Sequence, residues 1–134
     1  MAITQRVLDT SAYSLFRRGN RQAVKYIRET DKIWVPTVVM GELFAGFAIG
    51  SRKAQNIDEF DDFLSSGRVE IANVTSRTAE RYATIFQWLR SQGKPIPTND
   101  IWISAVAMER GADLLSADAH FENVPQIQLI KLVD

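Results

Sequence analysis

The chain has no cysteine, which removes disulfides and thiolate-held metals together. It has one histidine, His120, so the nitrogen-rich zinc sets are excluded as well. Any metal would therefore be held by oxygen, a donor set that selects Mg²⁺ or Mn²⁺. No apolar run approaches the ~20 residues of a membrane span, and the first residues lack the charged-then-apolar order of a signal peptide. These absences point away from a membrane and toward the reducing cytoplasm. Excess charge of one sign is missing too: 16 bases balance 16 acids, so bulk electrostatics do not announce a polyanion binder. The 134 residues suffice for one domain, 1–134, with a real core.

What charge there is lies unevenly. Residues 1–28 carry six bases and one acid, Asp9, whereas residues 95–134 carry six acids and two bases. The basic stretch reads as a solvated helix face that could also steady a phosphodiester backbone. Short apolar runs predict strands at Ile3–Leu8, Ile33–Val35, Val69–Ile71, Asp113–Ser116 and Gln128–Val133. Helical spacing fills the intervals: Thr10–Arg18, Arg21–Arg28, Thr37–Ile49, Arg52–Leu64 and Thr75–Ser91, then Asn99–Arg110 with Thr98 as its N-cap. The Thr37–Ile49 segment is apolar nearly all round and is expected to be buried on more than one side. Strands separated by helices predict an α/β domain with a mostly parallel sheet, whose sites form at the C-terminal strand ends.

Four carboxylates sit where apolar segments stop or inside them: Asp9, Glu42, Asp100 and Asp118. Each has an ordinary explanation. Asp9 could cap the next helix, Asp100 could serve the helix dipole, and Asp118 could belong to a turn. Glu42 is harder to explain, because its helical neighbours Val38, Val39, Ala45, Gly46 and Ile49 are all apolar or small. An ionised carboxylate beside buried apolar surface needs a partner, and no run of cations supplies one. A shared divalent metal answers all four. His120 is assigned to a turn or to packing, the Asp58–Asp62 run to a solvated face, and Phe44, Phe47, Trp88 and Trp102 to core or interface.

The ordered motifs Leu8-Asp9-Thr10-Ser11, Glu42-Leu43 with Gly46, Gly93-Lys94-Pro95 leading to Thr98-Asn99-Asp100, and Leu115-Ser116-Ala117-Asp118 with His120-Phe121 resemble a PIN domain. More narrowly they resemble the VapC toxins of type II toxin–antitoxin pairs. The resemblance implies a three-layer α/β/α fold and a Mg²⁺- or Mn²⁺-dependent endoribonuclease. It carries catalytic and metal-binding roles to Asp9, Glu42, Asp100 and Asp118, with Ser11, Thr98 and Ser116 as supporting polar positions. Many members carry Asn where Ser11 stands, and a polar or basic residue where Ala117 stands. A cognate VapB-type antitoxin, an RNA substrate and a homodimer are the implied partners. Two other readings compete. A catalytically silent PIN-like module would have no use for all four acids. An Mg²⁺-dependent phosphatase of the haloacid-dehalogenase kind would need a second Asp where Ser11 is.

Overall fold

Val7-Leu8, Ile33-Trp34-Val35 and Leu114-Leu115 are all buried, the mark of strands covered on both faces. A computed structural model, describing residues 2–134, pairs them in one all-parallel sheet. Its strands are β1 (Gln5–Leu8), β2 (Lys32–Pro36), β3 (Val69–Ala72), β4 (Asp113–Ser116) and β5 (Leu129–Lys131), in the order β3-β2-β1-β4-β5. The register sets Val7 between Trp34 and Leu114, and Leu8 beside Leu115. The connections are α1 (Thr10–Arg17) and α2 (Arg21–Glu29), α3 (Thr37–Ile49) and α4 (Lys53–Leu64), then α5 (Ser76–Ser91) and α6 (Thr98–Arg110). A 3₁₀ helix, Ala119–Asn123, follows β4.

The chain builds outward from β1 through β2 to β3, then returns to lay β4 on the other side of β1. Right-handed crossovers therefore place α1 to α4 on one face and α5 with α6 on the other, giving the expected three layers. The reversal leaves a crevice outside the C-terminal ends of β1 and β4, the usual ligand position in such sheets. Asp9 follows β1 directly, and Asp118 lies two residues past β4. One large apolar cluster joins the sheet to α1–α4 and to α6, and a smaller one (Ile85, Leu89, Ile96, Ile101, Ala105, Val124) joins α5 to α6. No helix among the described residues is long and apolar enough to cross a membrane.

Three expectations are corrected. Thr98 is the first residue of α6 and not its cap; Pro97 holds that place, without a side-chain bond, because its fixed φ already suits a helix entrance. Helix α3 buries only Val39 and Leu43 fully, and Phe44 and Ile49 remain 39% and 90% exposed, so much of its apolar surface has no cover within the chain. Strands β1 and β5 are shorter than predicted: Ile3 is exposed outside β1, and β5 ends at Lys131.

Candidate metal-dependent nuclease site

Asp9 occupies the N-cap of α1, yet its side chain makes no cap bond. Its backbone N–H still belongs to the sheet, donating to the Leu115 carbonyl at 3.1 Å. The carboxylate instead turns to two serines. Ser116 Oγ donates to Asp9 Oδ2 at 2.7 Å and Ser11 Oγ donates to the same oxygen at 2.8 Å. Each hydroxyl has a single proton, so their mutual 3.2 Å separation is a contact and not a third bond. Both hydroxyls are in turn fixed by backbone donors: Ala117 N–H to Ser11 Oγ at 3.0 Å, and Asp118 N–H to Ser116 Oγ at 2.9 Å. Ser11 thus reaches Asp9 despite its short side chain, with its hydroxyl fixed by the residue that follows β4.

Glu42 lies in the second turn of α3 and is half-buried. Thr10 Oγ1 donates to its Oε1 at 2.6 Å, and Asn99 Nδ2 approaches Oε2 at 3.4 Å. Asp100, in the first turn of α6, is 8% exposed and gains from the positive helix end. Asp118 caps the 3₁₀ helix, its Oδ1 accepting the His120 backbone N–H at 2.9 Å, so its turn role is real. It does not exclude a second role. The His120 ring Nδ1 stands 3.0 Å from Asp100 Oδ2 and 3.1 Å from Asp118 Oδ1. These three side chains offer ligand atoms within 4.8 Å of one another.

The electrostatics tie all four acids together. Burial raises the Asp9 pKa above its ordinary value; the two serine hydroxyls pull it back, and Glu42 pushes it further up. Burial also lifts Asp100, to about 6, with the Asp118 and Asp9 charges adding to the rise and His120 opposing it. Carboxylates that destabilise one another's ionised forms ask for a cation. Among the described residues no Lys or Arg lies within ion-pair distance of any of the four. The donor set, oxygen-rich and fixed by hydroxyls, fits a hard divalent ion.

Two residues depart from expectation. Thr98 is exposed and lines an apolar groove with Phe86, Leu89, Pro95 and Ile96; among the described residues its hydroxyl bonds to none of the acids. His120, assigned to a turn, lies against the acids. The sequence pattern carries no signal for this, because the ring is returned to the acids by a turn closed through the His120 backbone N–H and Asp118 Oδ1. Thr10 and Asn99 were also missed as Glu42's hydrogen-bond partners, although each adjoins an acid that was singled out.

A parallel sheet whose switch point gathers four carboxylates is an arrangement suited to metal-dependent phosphodiester cleavage. The model of the PIN domain family matches residues 6–127, and the chain belongs to that family. Within it the chain is homologous to the VapC ribonucleases: it is 31% identical to Ribonuclease VapC2 of Haemophilus influenzae over 88% of this chain and 90% of that one. Ribonuclease VapC4 of Mycobacterium tuberculosis is 26% identical, over 73% and 75%. The fold superposes on VapBC2 from Rickettsia felis, a complex bound to a promoter DNA fragment, with a TM-score of 0.86 and 22% identity over 97% of this chain and 100% of that one.

Proposed function

We propose that the chain is an endoribonuclease acting as the toxin of a toxin–antitoxin pair, with Mg²⁺ or Mn²⁺ held by Asp9, Glu42, Asp100 and Asp118. The observation that carries the reading is a buried pair of acids, Asp9 and Asp100, each raised above the ordinary carboxylate pKa chiefly by burial, in a cluster without Lys or Arg. A divalent ion bound there would activate a water and neutralise charge building on a phosphodiester. The protein's own share is positional. Ser11 and Ser116 hold Asp9 Oδ2 so that the other oxygen, Oδ1, is left for the ion. Thr10 and Asn99 fix Glu42 from one side each. Water attacks phosphorus, the P–O3′ bond breaks, and the leaving oxygen takes a proton, giving 5′-phosphate and 3′-hydroxyl ends.

The partner implied by this reading is a small VapB-type antitoxin in the same cytoplasm. A groove of about 320 Å³ between α1, α3 and α4 has an apolar floor at Leu43 and Phe47 and a charged rim at Arg17 and Glu59. It suits an amphipathic segment. An Arg of the same partner that reached the four carboxylates would match their geometry, so the antitoxin would compete with the metal.

The test is RNA incubation with purified protein and Mg²⁺ or Mn²⁺, with Asp9→Asn, Glu42→Gln and Asp100→Asn alongside. Each variant is expected to lose cleavage by at least about a hundredfold while keeping its fold. Full cleavage by Asp100→Asn would sink the assignment.

A further inference from the structure

We propose that His120 is itself a metal ligand in this site, through Nδ1, alongside Asp100 and Asp118; the inference rests on the metal-dependent reading above. Adjacent ligands on an octahedron with bonds of about 2.1 Å stand about 3.0 Å apart. The ring nitrogen meets that edge length twice, 3.0 Å from Asp100 Oδ2 and 3.1 Å from Asp118 Oδ1. The same separations suit hydrogen bonds in the metal-free protein, so the ring already waits where a ligand would stand.

The placement is built and not incidental. Asp118 Oδ1 accepts the His120 backbone N–H at 2.9 Å, which fixes the turn that returns the ring to the carboxylates. The next residue, Phe121, is 1% exposed and anchors that turn in the core. The His120 side chain is half exposed, so nothing in the packing demands that it face the acids. With its proton on Nε2, the ring offers Nδ1 to an ion.

One nitrogen among oxygens changes which metal the site prefers. Imidazole favours first-row transition ions over Mg²⁺, a hard ion that takes oxygen; the gain is smallest for Mn²⁺ and larger for the later ions. The site would then favour Mn²⁺ over Mg²⁺ more strongly than four carboxylates alone.

The chain holds a single histidine, so tag-free protein gives an unambiguous readout. Mn²⁺-loaded wild type, examined by electron spin-echo modulation, is expected to show directly coordinated imidazole nitrogen, and His120→Ala to lose it. By calorimetry, His120→Ala is expected to weaken Mn²⁺ binding by about tenfold or more and Mg²⁺ binding by less than about threefold. Mn²⁺ bound by wild type with no nitrogen coupling would overturn the ligand role and leave the carboxylate site standing. Failure of wild type to bind Mn²⁺ at all, or undiminished binding by Asp100→Asn, would overturn both. The wild-type spectrum decides the matter even if the variant folds poorly.

Discussion

Asp9 and Asp100 carry the same physical tension: both are buried and both are pushed toward their neutral forms by surroundings that hold other acids. The consequence for stability has a definite sign. An unfolded Asp titrates near 3.8, and folded Asp100 near 6, so the folded protein binds more protons across that window. Stability from this group is present below pH 4 and is lost as pH rises through 6; Asp9 adds in the same direction. The metal-free protein is therefore expected to melt several degrees higher at pH 5 than at pH 7.5, a difference that Asp100→Asn should largely abolish. Thermal denaturation in chelator checks this, and an Asp100→Asn protein with the wild-type pH slope would contradict it. Ser116→Ala tests the support of Asp9, for it removes a hydroxyl that both donates to the carboxylate and accepts the Asp118 N–H. A loss of about 1–3 kcal/mol is expected, together with weaker metal binding. Unchanged melting and Mn²⁺ affinity would show the hydroxyl to be idle. The four acids were legible in sequence because each sits against apolar residues, and Ser11 and Ser116 entered by resemblance. His120 was not, since its role depends on a turn whose geometry no periodicity records.

Elements were more legible than their surroundings. Helix α3 and strand β4 have the predicted limits, because Pro36 and Gly50 bracket the first, and in the second the Leu114-Leu115 pair is flanked by Asp113 and Ser116. Boundaries slipped where no residue marks a stop, as at Ile3 and at the end of β5. Thr98 misled because a threonine before an apolar run looks like a cap, whereas Pro97 already provides the entrance. Sequence was also silent on how α2 ends. Arg68, at the start of β3's approach, donates from one guanidinium nitrogen to the Ile27 carbonyl at 3.0 Å and also to the Thr30 carbonyl. Arg6 donates to the Tyr26 carbonyl at 3.4 Å and to Thr30 Oγ1 at 2.8 Å. Two cations thus satisfy the carbonyl end of a helix lacking a glycine stop, and they complement its dipole. Arg68→Ala is expected to cost about 1–3 kcal/mol of stability with cleavage intact, measured by urea unfolding and RNA incubation. A midpoint shift within error would refute the clamp.

For the molecule as a whole, the outstanding feature is the uncovered side of α3. On a helical wheel Gly41, Phe44, Ala45, Ala48 and Ile49 share one face, and all are exposed. Phe60 of α4 is fully buried and packs edge-on against Phe44 at 5.6 Å and Phe47 at 6.3 Å between ring centres. Helix α4 thus takes one side of those rings and leaves the small-residue face free. Gly41, Ala45 and Ala48 would let a second helix approach closely, and a contiguous apolar patch on a soluble chain marks an interface. We therefore predict a homodimer built on α3. Its interface would adjoin Glu42, which is on the neighbouring face, and so bring the two sites near one another. Light scattering at micromolar concentration is expected to give twice the 15.1 kDa chain mass. Ala45→Glu is the sharper test, because Ala45 is exposed in the single chain and the substitution costs the monomer little, within about 0.5 kcal/mol. It should halve the mass while leaving the circular dichroism spectrum unchanged. A monomeric wild type, or an Ala45→Glu protein that still dimerises, would remove α3 as the interface.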